Sequence, residues 1–296
     1  MSFSSKFGVE TPSIPQKSEF VNDYRCVGIE IEQEFDNNQP DLTLRSEYWQ
    51  TKRDHSLRNV GIEYVTKILA PSDVPKAIEQ VLPYISRGLD SWRAGIHVHI
   101  DARDLSEQEL WRLGMLYAIL EPLIFMWEGN GRDHSRFCVP WYNASKGVAS
   151  VMAGIMSDSP RKAGDMLHKY GKYSALNLLP ITSFGSVEFR HMQTTTDPAR
   201  IMKYVMLCHC IVEASKRDIN PLLELSTLGA EQFVSDILFG KCDFLKEVND
   251  YEGLLWQGTD TSNLIEVYKD RQAPSRPKGD MRYIEMISNL EQGDIT

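Results

Sequence analysis

A row of carboxylates in the segment CVGIEIEQEF, which begins at Cys26, is the first feature of this sequence that could do chemistry. Residues two apart on a β-strand share a face, so Glu30, Glu32 and Glu34 would lie opposite a face of isoleucines. A solvated strand face explains a lone Glu-x-Glu pair equally well. Buried carboxylates instead repel one another and require a cation, and their oxygen atoms are ligands that Mg²⁺ or Mn²⁺ prefers.

Two further segments repeat this alternation of apolar and reactive residues. The segment GIHVHI places His97 and His99 on one strand face, and SVEFR places Glu188 and Arg190 on another. Zinc is an alternative for the two histidines, and a weak surface ion pair is an alternative for Glu188 with Arg190. A metal held by Glu30, His97 and Glu188, with the arginine on a transferring phosphoryl group, would explain all three segments together.

Length and composition are those of a globular protein with a sizeable core. Of the 296 residues, 42% are hydrophobic and 25% are charged, and the net charge is −9. The excess of acid argues against general nucleic-acid binding, since few cations are available to displace counterions. Five cysteines without a Cys-x-x-Cys pair suggest reduced thiols. The absence of a long apolar run or a signal-like start predicts no membrane span and a cytoplasmic location.

The elements that must position these side chains can be read from turns, caps and periodicity. We expect a flexible N-terminal arm at 1–20, a catalytic domain with a helical C-terminal part at 21–272, and a linker with a short helical tail at 273–296. Strands are predicted near 24–35, 47–57, 60–69, 92–101, 173–178 and 186–191, and helices near 71–87, 106–127, 145–157, 160–168 and 197–216.

The motifs that could do chemistry follow one another in a recognisable order. They are GIEIE from Gly28, DHS from Asp54, GIEYVT from Gly61, GIHVH from Gly95, then Arg136, YSALN from Tyr173 and VEFR from Val187. Over about residues 24–215, this order resembles the amidoligase family. That family belongs to the wider carboxylate-amine ligase superfamily, which includes glutamine synthetase and glutamate-cysteine ligase.

The resemblance implies an α+β fold, in which a curved, mainly antiparallel sheet forms a glutamine synthetase-like funnel flanked by helices. It implies an ATP-dependent ligase that uses Mg²⁺ or Mn²⁺ and forms an amide or isopeptide bond through an acyl phosphate. The residues it assigns fall into three groups: Glu30, His97 and Glu188 with Glu32 and Glu63 as metal ligands; Arg190, Arg136 and Asp54 in catalysis; and Lys172, Asn177, Arg132 and Arg190 on the nucleotide.

Departures from the family pattern leave some assignments open. The glutamine synthetase-like group usually supplies more acidic ligands around its first metal, and Asp54 or Glu34 could fill that place; for Glu34, outside the matched motif, we expect a solvated side chain. After Glu63 the chain reads YVTK, where relatives often have a Ser-Pro ending, so the rim of the pocket would differ.

Two alternatives keep the same fold but change the function. One is a non-catalytic binding or structural module, and the other is a phosphotransferase that resembles guanidino kinases. As partners we expect a small-molecule or peptide carboxylate and an amine, with no membrane, and a homo-oligomer is left open. A phage or bacterial setting fits the family, so a phage-encoded protein would act in the host cytoplasm.

Overall fold

The computed structural model describes residues 2–9, 25–37, 42–129, 131–141, 145–157, 159–170 and 172–238. Most of the expected domain, up to residue 238, therefore lies within the described ranges. The predicted linker and C-terminal tail at 273–296, and the helical part that precedes them beyond residue 238, lie outside these ranges.

A six-stranded antiparallel sheet forms the centre of the protein. Its strands lie in the order β2-β3-β1-β4-β6-β5, and each neighbouring pair is antiparallel. This sheet, with helices beside it, confirms the predicted α+β class. The strands are β1 (Val27–Phe35), β2 (Trp49–Arg53), β3 (Val60–Thr66), β4 (Gly95–Asp101), β5 (Leu176–Asn177) and β6 (Ser186–Gln193).

Two of the longer helices begin at side-chain caps. Ser106 and Glu109 form a capping box at the start of the long helix, and Asp197 caps the helix that begins at Pro198. The seven helices of the described ranges are α1 (Val74–Ile85), α2 (Glu107–Glu128), α3 (Ser145–Ile155), α4 (Pro160–Tyr170), α5 (Pro198–Ala214), α6 (Pro221–Leu228) and α7 (Ala230–Leu238).

The two faces of the sheet differ in character. On one face, Ile29, Val98 and Phe189 are buried in the hydrophobic core, and α2 and α5 contact this part of the sheet. Alternation then directs the polar side chains of the same strands to the opposite face. Within the described ranges, α2 is the one helix with the length and apolarity of a membrane span, and most of it is buried inside the fold.

The N-terminal residues 2–9 differ from the flexible arm that we expected. They include a short 3-10 turn, and the Phe3 side chain is buried in the core. The Phe3 amide donates to the Leu105 carbonyl at 2.8 Å, and the Ser4 hydroxyl donates to the Arg103 carbonyl at 3.0 Å. The buried Phe3 ring, the packing of Phe7 against the core and these hydrogen bonds together hold the segment on the fold, while residues 10–24 lie outside the described ranges.

Candidate active site

Five strands direct polar side chains to the same face of the sheet. Glu30 on β1 pairs with His97 on β4, and Glu32 pairs with Glu63 on β3. Directly opposed residues of antiparallel strands share a face, so these pairings place the predicted metal ligands side by side. The remaining pairings extend the row across the sheet, since Glu188 on β6 lies opposite both His99 and Asn177.

Glu30, His97 and Glu188 form a compact set of potential metal ligands. One ligand atom from each residue lies within 4.8 Å of the others. His97 Nδ1 is 3.4 Å from a carboxylate oxygen of Glu30 and 3.4 Å from one of Glu188. His97 Nε2 and His99 Nε2 are buried and lack a hydrogen-bond partner within the described structure. The donor set therefore consists of the Glu30 and Glu188 carboxylates and the His97 imidazole, with unpaired nitrogens on both histidines. Such a set fits a bound divalent cation.

The ionisable groups of this cluster shift one another's pKa values. Burial raises the pKa of Glu30, but its contacts with His97 and His99 outweigh burial, so the net pKa is lowered. Burial likewise raises the pKa of Glu188, and Arg190 and His97 lower it below its ordinary value. Burial lowers the pKa of His99, and the Glu30 carboxylate, 3.6 Å from its Nε2, raises it overall. Without a metal, His99 and Arg190 thus partly neutralise the carboxylates.

Glu32 and Glu63 extend the cluster toward β3. A Glu32 oxygen accepts from the Gly95 amide at 3.0 Å and lies 3.8 Å from His97 Nε2. Burial, followed by the charge of Glu30, raises the pKa of Glu63 to about 7, while Lys52 at 4.0 Å only partly offsets this. The carboxyl of Glu63 is therefore crowded by like charges, and a second cation would relieve that repulsion.

Arg190 lies beside Glu188 on the polar face, as their spacing of two residues predicts. Arg190 forms an ion pair with Glu188, and its Nε donates to the Phe137 carbonyl at 3.1 Å. The strand becomes irregular at this point: Ile96 pairs with Met192 and Val98 pairs with Phe189, so two residues of β6 oppose His97 alone. This β-bulge interrupts the alternation of side chains after Arg190.

The next residue after Arg190, His191, packs on the helical side of the bulge. Its Nε2 lies 2.8 Å from the Tyr117 hydroxyl, and its backbone amide donates to the Tyr204 hydroxyl at 2.9 Å. Burial, followed by the charge of Arg132, lowers the pKa of His191 to about 3. The imidazole is therefore a neutral part of the core.

Asn177 and Arg132, which we assigned to the nucleotide, are buried and form hydrogen bonds to other residues of the protein. Asn177 donates to Glu188 Oε2 at 2.6 Å and is buried. The buried guanidinium of Arg132 donates to the carbonyls of Trp92, Arg93 and Arg190 at 3.3 to 3.4 Å. In this structure both side chains hold the residues of the site in place.

Arg136 and Lys172 lie at the rim of the site. Both are exposed, and their charged groups stack on the rings of Phe137 and Tyr173, at 5.0 and 5.4 Å from the ring centroids. These two rings contact each other edge to face. Because the carbonyl of Phe137 accepts from Arg190, the rim is connected to the cluster.

Asp54 lies apart from the predicted metal ligands. Its carboxylate accepts from the Ser56 amide at 2.8 Å and from the Ser56 hydroxyl at 3.1 Å, within the turn that ends β2. This turn also explains why β2 is shorter than the strand we predicted. No contact within the described structure joins Asp54 to the Glu30 cluster, so a role for it in catalysis stays a prediction.

The expectation of a solvated Glu34 is wrong, and Arg93 was missed. Glu34 is only 5% exposed, and its carboxylate accepts from the Arg58 amide at 2.8 Å. Arg93 Nε lies 4.0 Å from the same carboxylate. Arg93 precedes its strand and belongs to no motif, so only the register of β1 against β4 brings it to Glu34.

Comparisons with known proteins identify the family of the chain. A search of curated proteins finds no match. Among solved structures, a bifunctional glutathione synthetase from Pasteurella multocida matches with 11% identity and a TM-score of 0.36, over 91% of this chain and 52% of that chain. This chain thus spans about half the length of that protein. The profile of the family described as "Putative amidoligase enzyme" matches residues 33–212, which is more than half of the chain. The chain therefore belongs to this amidoligase family.

Proposed function

We propose that this protein is an ATP-dependent ligase that joins a carboxylate to an amine through an acyl phosphate. The observation that carries the proposal is the convergence of Glu30, His97 and Glu188, with Arg190 paired to Glu188 beside them. Family membership supports the ligase class. Phosphoryl transfer depends mainly on positioning the reactants and on neutralising the charge of the phosphates. Carboxylates that hold a cation, with an arginine beside them, would do both.

The proposed reaction has two steps. An oxygen of the substrate carboxylate attacks the γ-phosphorus of ATP, the bond from that phosphorus to the β,γ-bridging oxygen breaks, and ADP leaves. The amine nitrogen then attacks the acyl carbon, phosphate leaves, and the nitrogen loses a proton. The product is an amide or isopeptide bond between a small-molecule or peptide carboxylate and its amine partner.

The residues of the chain would divide this work among them. Mg²⁺ or Mn²⁺ held by the cluster, with Glu32 and Glu63 available for a second ion, would neutralise the charge of the ATP phosphates. Arg190 would donate to the oxygens of the γ-phosphoryl group. Arg136 and Lys172 on the rim would contact the phosphates of the nucleotide.

The test is a screen for ADP formation with pairs of amino acids, polyamines and peptides, followed by mass spectrometry of the product. We expect ADP and phosphate only when both a carboxylate and an amine are present. Glu188→Gln should lower turnover about 100- to 1,000-fold. Glu79→Gln, at an exposed position on α1, is the matched control and should retain activity.

Other outcomes of the screen identify the alternatives. ADP formed from a single guanidino substrate, without release of phosphate, would indicate a phosphotransferase instead of a ligase. Failure of the metal-loaded protein to bind ATP would contradict the proposal and favour a non-catalytic module.

A further inference from the structure

The β-bulge of β6 depends on side chains from outside the sheet. Arg190 and His191 both lie opposite His97, so the regular ladder between β4 and β6 cannot pair both residues. The His191 amide donates instead to the Tyr204 hydroxyl at 2.9 Å, and the Arg190 carbonyl accepts from Arg132 Nη2 at 3.3 Å. Because buried backbone groups need such partners, these contacts determine where the bulge lies.

Tyr204 contacts the ring of His191 as well as its backbone. The Tyr204 hydroxyl lies 3.3 Å from His191 Nδ1, and the Tyr117 hydroxyl lies 2.8 Å from Nε2 on the other side of the ring. Tyr117 donates its proton to the Glu121 carboxylate at 2.5 Å, so it accepts from His191 Nε2–H, which leaves Nδ1 to accept from Tyr204. A directed chain of hydrogen bonds thus connects α2, the bulge and α5.

Stability alone does not explain polar side chains at these positions. The side chains of the hydrogen-bonded chain are completely buried, and they are those of Tyr117, Glu121, His191 and Tyr204. Hydrophobic residues of similar volume would fill the same space without the cost of removing polar groups from water. A buried network with matched donors and acceptors instead fixes one geometry, so these residues indicate that the geometry of the bulge matters.

Arg190 is the residue of the candidate site that this geometry controls. Its guanidinium forms an ion pair with Glu188, and its Nε donates to the Phe137 carbonyl at 3.1 Å. Both contacts require the backbone of Arg190 to lie in one place, and a misplacement of about 1 Å in an active site can cost about 100-fold in rate.

We propose that Tyr204 and His191 are positioning residues, which hold the bulge and so aim the Arg190 guanidinium at the transferring phosphoryl group without contacting the substrate. This inference rests on the proposed function and adds to it two residues outside the metal-ligand cluster. The contact from Tyr204 to the His191 amide carries it, because that hydrogen bond acts on the backbone next to Arg190.

Hydrogen exchange of the Arg190 Nε–H, followed by nuclear magnetic resonance, measures this positioning without turnover. The full-length chain carries isotope-labelled arginine, and the Arg190 signal is assigned by its loss in Arg190→Lys. The Nε–H of Arg103 is the reference within the same molecule, because it donates to the Asp101 carboxylate at 2.8 Å and does not contact the bulge. The ratio of the two exchange rates corrects for a change in global stability.

Two bulge variants are compared with a matched control. Tyr204→Phe removes the hydroxyl and keeps the ring, and His191→Gln removes the imidazole and keeps the backbone amide. The control is Tyr64→Phe, because Tyr64 is also completely buried and its hydroxyl donates to the Leu42 carbonyl at 3.1 Å. Tyr64 lies on β3, and two strands separate β3 from β6.

We expect each bulge variant to raise the exchange rate of the Arg190 Nε–H about 10-fold relative to that of Arg103, and the control to leave this ratio unchanged. The proposal is overturned if a folded bulge variant keeps the wild-type ratio or if the control changes it as much. It is also overturned if the wild-type Arg190 Nε–H exchanges as fast as that of exposed Arg136.

The ligase assay adds a second readout. The bulge variants should lower kcat about 10-fold, whereas the control should retain it. Wild-type kcat in a bulge variant with faster exchange would overturn the proposal. The exchange measurement does not depend on turnover, so a wild type without ligase activity would contradict the proposed function alone.

Discussion

Glu63→Gln should stabilise the metal-free protein at pH 8, although it removes a residue of the candidate site. Burial and the charge of Glu30 raise the pKa of Glu63 from 4.5 to about 7 in the folded protein. Stability linked to this carboxyl is therefore fully present below pH 4.5 and is lost as the pH rises through 7. A glutamine, which does not ionise, avoids that loss.

The size of the effect follows from the raised pKa. Ionising such a carboxyl in the folded state costs up to about 3 kcal/mol at pH 8. The Glu63 side chain is 23% exposed, and solvent screening reduces the expected gain in the free energy of unfolding to about 1 to 2 kcal/mol. Near pH 5 the gain should fall to about a quarter of its value at pH 8.

Urea denaturation in the presence of EDTA measures this difference, with Glu79→Gln as the control at an exposed position. Added Mn²⁺ should then stabilise the wild type more than Glu63→Gln, because the wild type alone keeps this carboxylate as a ligand. If Glu63→Gln is no more stable than the wild type at pH 8 without metal, the reasoning about crowded carboxylates is refuted.

Three further predictions concern Arg132, His191 and Phe3, which are buried and are not among the metal-ligand candidates. Arg132→Gln should lower the free energy of unfolding by about 2 to 3 kcal/mol in urea, because buried carbonyls lose their donor, whereas exposed Arg136→Gln should change it by less than about 0.5. Burial, followed by Arg132, lowers the pKa of His191 to about 3 from 6.5, so stability should fall as the pH drops below 6.5. When the pH is lowered to 5, the free energy of unfolding of the wild type should fall by about 2 kcal/mol more than that of His191→Gln, as measured by denaturation at each pH. Phe3→Ala should cost about 3 to 4 kcal/mol and expose the first residues to proteolysis, since Phe3 is buried.

Much of the fold was predictable because its signals are local. Alternating residues identify the strands with Glu30, His97 and Glu188, and the Ser106 and Asp197 caps mark the helix starts. The three metal-ligand candidates also followed from residue type and spacing. Their meeting within 4.8 Å depends on the order of the strands, which periodicity could not supply; the resemblance implied only that these residues share a metal.

The features that escaped prediction depend on contacts between segments distant in the chain. The bulge at Arg190 and His191 arises from the register of β6 against β4, so no pattern in β6 alone reveals it. Arg93 reaches the site only because β1 ends beside the start of β4. For residues 2–9, composition indicated a disordered arm, while the buried Phe3 ring and hydrogen bonds to the distant Arg103 and Leu105 carbonyls hold the segment on the fold.

Counting bound Mn²⁺ with electron paramagnetic resonance tests whether the polar face of the sheet holds a divalent metal. The full-length wild type and Glu79→Gln should bind Mn²⁺ with the same stoichiometry and affinity. Glu188→Gln should bind it at least about 10-fold more weakly, since it loses a carboxylate from the Glu30, His97 and Glu188 set. Equal Mn²⁺ binding by Glu188→Gln and the wild type, or no binding by the wild type, would contradict the account.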